Sequence, residues 1–251
     1  MDYFDPSLLL LSAVIAIAGV ARGLSGFGTG MIVVPVAAAL YDPVTAVVVV
    51  VIIDSLPTLP VAIPVLKIVR WKEVLPVTAG LALFVPVGVF ILKNGDPTML
   101  RWLISAVILA CAGALWRGWR YRGPRGIPVS FGVGATAGVL SGVASIPGPP
   151  AIIYWMASTL PVAIVRANLL ALFLLGEFMS IGNLWAAGLF DRERVITGLI
   201  TAPIYLAGLL LGSKLYGLAS DAVYRRFTFL LIVIAALTTL PLVDKIANTF
   251  G

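Results

Sequence analysis

The sequence predicts an all-α integral membrane protein with seven to eight transmembrane segments in two homologous repeats. Three observations predict it. Of 251 residues, 61% are hydrophobic and 11% charged, against about 25% charged in ordinary soluble domains. So few charges cannot coat a soluble globule of this size, whereas a surface that faces lipid needs none. Mean hydropathy is +1.09, and apolar runs near the roughly 20 residues that cross a bilayer recur along the chain. Lastly, the basic residues gather in short loops between these runs, as in cytoplasmic loops of membrane proteins. The net charge of +6 is therefore read as orientation and not as a nucleic-acid surface.

Each element follows in order. Met1-Asp2-Tyr3-Phe4-Asp5 is acidic, whereas a cleaved signal peptide begins basic, so apolar Ser7–Val20 reads as mature protein. After Arg22 a glycine-rich break, Gly23-Leu24-Ser25-Gly26-Phe27-Gly28-Thr29-Gly30, precedes Met31–Leu40. Asp42-Pro43 opens a run to Leu66 that holds Asp54, Pro57, Pro60 and Pro64. Lys67, Arg70 and Lys72 form a basic loop, Val74–Leu92 and Thr98–Trp116 are uninterrupted spans, and Arg117, Arg120, Arg122 and Arg125 form the strongest basic cluster. Pro128–Val143 is broken by Ser145-Ile146-Pro147-Gly148-Pro149-Pro150. Pro161–Gly188 carries Arg166, Asn168, Glu177 and Asn183, and Val195–Gly212 and Phe227–Leu242 are the last spans.

The organisation repeats. Leu24-Ser25-Gly26 recurs as Leu140-Ser141-Gly142, Pro43-Val44 as Pro161-Val162, and Trp71-Lys72-Glu73 as Asp191-Arg192-Glu193, in the same order. Residues 1–122 and 123–251 thus read as two repeats within one transmembrane domain, each starting with a broken or re-entrant helix pair. Matching breaks in two halves favour inverted over parallel repeats.

Chemistry is expected at the breaks. Helix starts in a low dielectric offer N–H groups and about half a positive charge to an anion. Gly26, Gly28 and Gly30 admit the needed backbone, and Ser25 and Thr29 stand where they can cap the restarting helix. Ser145 has the same opportunity at the second break, with Pro147 and Gly148 in the first turn. Small-xxx-small packing is the competing reading of the glycines. An ionisable group at the bilayer centre costs at least about 2.5 kcal/mol and so usually has a task. Arg22 and Arg166 are candidate anion ligands or snorkelling residues, Glu177 and Asp54 candidate proton carriers, and Asn168 a ligand or an interhelical bond. Phe27, Tyr154, Trp155 and Phe173 are candidate cavity walls. Trp71, Trp102, Trp116, Trp119 and Trp185 read as an interface belt. With no histidine, one cysteine (Cys111) and no phosphate-binding loop, the chain offers no hydrolase, disulfide, metal or ATP-hydrolysis signature. An enzyme is not expected, and neither is a cofactor.

The first block, Arg22 to Gly30 followed by Pro35, together with its echo Gly138-Val139-Leu140-Ser141-Gly142 through Gly148-Pro149-Pro150, resembles the sulfite exporter TauE/SafE family. The resemblance covers nearly the whole chain. It implies an anion transporter whose substrates are sulfite, sulfonates or related small sulfur-containing acids. Together with the buried carboxyls and paired breaks, the chain reads as a secondary transporter in the cell inner membrane, with a coupled proton as one option and one repeat rocking against the other. The second block lacks a counterpart to Phe27-Gly28-Thr29-Gly30, so the half-sites need not be equivalent. The expected partners are a small organic or inorganic anion and membrane lipid, not nucleic acid. The sequence leaves oligomeric state open, a homodimer included. The competing functions are a channel or metal-cation permease, which expects more acids or histidines along one path, and a non-transporting scaffold subunit.

Overall fold

Three helices begin where aspartate meets proline. The computed structural model describes residues 5–59, 63–215, 221–238 and 240, without the side chains of Ser25, Leu56, Val65, Val162, 221–228 and Thr238. Asp5 caps α1 (Pro6–Ser25) by accepting from the Ser7 N–H at 3.0 Å. The Gly26–Gly28 break separates α1 from α2 (Thr29–Leu40). Asp42 accepts from the N–H groups of Val44 and Thr45 at the start of α3 (Pro43–Ser55), which ends in short 3-10 turns at Leu56–Thr58 and Ile63–Ile68. Next come α4 (Trp71–Asn94) and α5 (Pro97–Trp116), the latter capped by Asp96. The pattern answers to proline's fixed φ and missing N–H, which cost nothing in a first turn.

The basic loop leads to α6 (Ile127–Ala144), and a second break to the short α7 (Gly148–Trp155). The chain closes with α8 (Val162–Ala186), α9 (Arg192–Leu215) and α10 (Asp221–Thr238). The last expected span, Phe227–Leu242, runs past α10 beyond the described residues.

Among the described residues the secondary structure is all helical, and six helices are long and apolar enough to cross a membrane: α1, α4, α5, α6, α8 and α9. The protein is a multi-pass membrane protein. Beyond these six, α2, α3 and α7 are too short to span, and the last expected span lies partly outside the described residues. Trp71, Trp102, Trp116, Trp119 and Trp185 are all exposed, as belt residues would be.

Two contacts dominate the packing, α4 against α6 and α1 against α9. Both are backbone to backbone. A Cβ on Gly142 would meet the Val85 carbonyl oxygen at 2.5 Å and the Gly88 Cα at 2.7 Å, and one on Gly138 would meet the Leu81 carbonyl oxygen at 2.5 Å. On the other side, a Cβ on Gly19 would lie 2.6 Å from the Tyr205 carbonyl oxygen, and Gly23 is held as closely against Leu209 and Gly212. Small residues bring helices together in lipid because van der Waals packing must replace the absent hydrophobic drive. The packing reading of Gly19, Gly23, Gly134, Gly138 and Gly142 therefore holds, while Gly26, Gly28 and Gly30 belong to the break. Between these pairs the middle of α3, Ala46–Ile53, is wholly apolar. Its Val47–Val51 run is wholly buried, feeding Val49 and Val50 into one core and Val47, Val48 and Val51 into the other.

Gly142→Ala should lower the thermal unfolding midpoint of the detergent-purified protein, at a cost of about 1–3 kcal/mol for overpacking. Gly132→Ala, on the same helix but facing open space, should not. Equal midpoints for the two variants would show that the crossing relaxes freely.

Candidate functional site

Both breaks rest on unusual backbone. Gly26 (φ 81°) and Gly28 (φ 110°) occupy the left-handed region, where a side chain would be strained. Ser145 (φ 51°) adopts it without being glycine, and among the described residues it is the only such case. Neither helix restart is capped as expected. Gly28 is the N-cap of α2 with no side-chain bond, because Thr29 falls at the first helical position and turns its hydroxyl elsewhere. Pro147 is the N-cap of α7, while Ser145 ends α6 and its Oγ is buried without a hydrogen-bond partner. The Ser25 side chain lies outside the described residues.

The two breaks meet. A Cβ on Gly30 would run into the Ser145 carbonyl, so the start of α2 and the end of α6 touch through backbone. Between them lies a partly open cavity of about 30 Å³, room for two or so water-sized occupants. Gly28, Thr29 and Gly30 line one side and Ser145, Pro147 and Gly148 the other. Arg22, Asp54 and Glu177 bring charge from α1, α3 and α8, and Phe27 and Phe173 bring aromatic surface. Apart from Phe27 every lining residue is buried.

Asp54 sits in the last turn of α3, at the negative end of that helix, where a carboxylate needs compensation. Arg22 Nη2 supplies it 3.5 Å from Oδ2, and the Tyr205 hydroxyl donates to Oδ1 at 2.5 Å. Since the tyrosine proton is committed to Asp54, the Thr29 hydroxyl donates to the Tyr205 oxygen, 2.9 Å away. Arg22 also lies over the Phe173 ring, 5.1 Å from its centroid, a cation–π placement that holds the guanidinium against the wall. Glu177, one turn beyond Phe173, is 4% exposed and its Oε2 has no hydrogen-bond partner. A buried carboxyl oxygen left in this state is costly and calls for an occupant or a proton.

Other expected site residues stand elsewhere. Arg166 packs beside the first break, its Nε 3.9 Å from where a Gly26 Cβ would be, but does not line the cavity. Asn168 is fully buried and accepts from the Arg70 N–H at 2.9 Å, tying α8 to the turn before α4. Tyr154 bonds the Ser130 hydroxyl at 2.8 Å and lies under Arg125, 4.7 Å from its ring centroid, so it secures the basic loop to α7. Trp155 is buried nearby, also off the cavity. The residue that sequence reasoning missed is Tyr205. The available signal was the polar stripe Thr197, Thr201, Tyr205 at four-residue spacing on α9.

Residues 11–239 match the family described as Sulfite exporter TauE/SafE. The chain belongs to this family. It is a transmembrane transporter, and the family is one of transporters and not of enzymes. A relative from Cupriavidus necator, 30% identical over 94% of this chain and 95% of its own length, is named a probable sulfite/organosulfonate exporter. No solved structure matches the chain.

Tyr205→Phe keeps the ring and removes only the hydroxyl. It should destabilise the protein by about 1–3 kcal/mol, since Asp54 Oδ1 loses its donor and Thr29 its acceptor. Thermal unfolding reads this, and Tyr205→Phe combined with Thr29→Val should cost less than the sum of the single changes.

Proposed function

We propose that this chain is a secondary transporter of a small sulfur-containing oxyanion, sulfite or the head of a sulfonate, across the cell inner membrane, with a proton moving alongside. The supporting observation is the small, partly open cavity where both helix breaks meet Arg22, Asp54 and Glu177. The uncapped start of α2 and the Arg22 guanidinium favour an anion. The two carboxyls oppose one: with both ionised, the lining carries one more negative than positive charge. The tension resolves if Glu177 binds a proton before or with the substrate, so that its O–H becomes a donor to an oxyanion. Asp54, already held by Arg22 and Tyr205, then sets the position of Arg22 and does not carry the proton.

Arg166 lies on the same face of α8 as Phe173, two turns or roughly 10 Å away. In this reading it attracts the anion to the first break and hands it to Arg22. The name of the Cupriavidus necator relative is consistent with this substrate class. The cavity volume favours the sulfite group itself, any organic tail requiring the site to open between Phe27 and Phe173.

The packing also supports two repeats, residues 1–122 and 123–251, the inverted arrangement still favoured. If α1, α3 and α4 correspond to α6, α8 and α9, the α1–α9 contact maps onto α6–α4, and α3–α9 onto α8–α4. The closest helix contacts then cross between halves. The bodies that rock during transport are the α1–α9 and α4–α6 pairs with their neighbours, hinged where Gly30 meets Ser145.

Sulfite flux into proteoliposomes tests the reading. Arg22→Gln paired with Asp54→Asn removes the ion pair as a unit, which spares the fold the about 3–5 kcal/mol cost of one stranded charge, and should abolish flux. Glu177→Gln should keep sulfite-dependent thermal stabilisation yet lose the pH dependence of flux. Wild-type flux from the folded neutral-pair variant would remove Arg22 from the mechanism, and unchanged pH dependence in Glu177→Gln would end the proton role.

A further inference from the structure

Beside the basic loop, at the far end of α5, lies a second and much larger concavity, an open groove of about 1010 Å³ between α5 and α10. Its floor is apolar, with Leu109 and Gly113 on α5 and Val233 on α10. A Cβ added at Gly113 would meet nothing within 4 Å, so the floor is open where an adjacent helix would ordinarily fill it. One wall is Trp116, stacked edge-on against Phe229 with ring centroids 5.8 Å apart. The rim carries three exposed arginines, Arg117, Arg120 and Arg122, and the exposed Trp119.

Among the described residues no acidic side chain pairs with a rim arginine. No Asp or Glu occurs between Asp96 and Glu177. Three guanidinium groups at the mouth of an apolar groove match an amphiphile with an anionic head and a hydrocarbon tail. Exposed Trp116 and Trp119 place the rim at the depth of lipid headgroups. The density of arginine places it on the cytoplasmic side, where anionic lipids attract basic clusters at about 1 kcal/mol per residue. Guanidinium forks pair with phosphate oxygens two at a time. A soluble anion would use the rim but gain nothing from the floor.

We infer that this groove is a binding site for an anionic phospholipid, with its phosphate on Arg117, Arg120 and Arg122 and one acyl chain along Leu109, Gly113 and Val233. The site is separate from the transport cavity and independent of the substrate proposed for it. The two share one structural link, since Phe229 also packs against Phe27, their centroids 6.1 Å apart.

The test uses the delipidated full chain in detergent, with bound lipid counted by native mass spectrometry and thermal midpoints read in parallel. Phosphatidylglycerol should bind and raise the midpoint, whereas phosphatidylcholine of the same chains and soluble glycerol phosphate should not. The triple variant Arg117→Gln, Arg120→Gln, Arg122→Gln should weaken phosphatidylglycerol binding at least tenfold. Gly113→Leu, which fills the floor without touching the rim, should weaken it as well. Equal binding of phosphatidylcholine, an unaltered triple variant, or indifference to Gly113→Leu would overturn the site. Stabilisation by glycerol phosphate as strong as by the lipid would make it a soluble-phosphate site instead, which also overturns it.

Discussion

A helix interrupted inside a bilayer leaves peptide N–H and C=O groups that water cannot reach and lipid cannot satisfy. Two such interruptions follow from the glycines at 26 and 28 and from the prolines around Gly148. Neither break can face hydrocarbon, so each must be covered by protein, and here they cover one another through Gly30 and Ser145. The remaining architecture serves that meeting. The glycine-lined crossings of α1 on α9 and α4 on α6 bring the helices close enough, and the valine-rich middle of α3 fills the space between them.

Charge enters the site because the backbone alone does not complete it. Asp54 at the negative end of α3 is paired with Arg22 and accepts from Tyr205, whose oxygen is in turn bonded by Thr29. These contacts join α1, α2, α3 and α9 around one carboxylate, so the network fixes the relative placement of four elements as well as the cavity's electrostatics. Glu177 has no such support on Oε2. One carboxyl is thus held by an ion pair and a hydrogen bond, while the other has a buried oxygen without a partner.

Much of this was legible in the sequence for a physical reason. Charged groups and helix-breaking residues are expensive in apolar runs, so Arg22, Asp54, Glu177 and the two breaks stood out. Tyr205 did not, since tyrosine is at home in cores and interfaces alike. Asn168 and Tyr154 were readable as polar or aromatic, but not in direction. Asn168 is five residues before Phe173, which turns it to another face of α8, where it holds Arg70. The capping roles of Thr29 and Ser145 depended on which residue first adopts helical dihedrals, a matter of one position that composition cannot resolve. Helix lengths were hardest, because α3 stops just after Asp54 although apolar residues continue to Leu66.

The pairing of α1 with α9 also has a consequence during synthesis. The first helix leaves the ribosome complete at Ser25, while the helix whose glycines it requires begins at Arg192. At about 5–20 residues per second, α1 waits on the order of ten to thirty seconds in the membrane with Arg22 unpaired at first and its glycine face uncovered. Slowing translation before Arg192 should prolong that exposure.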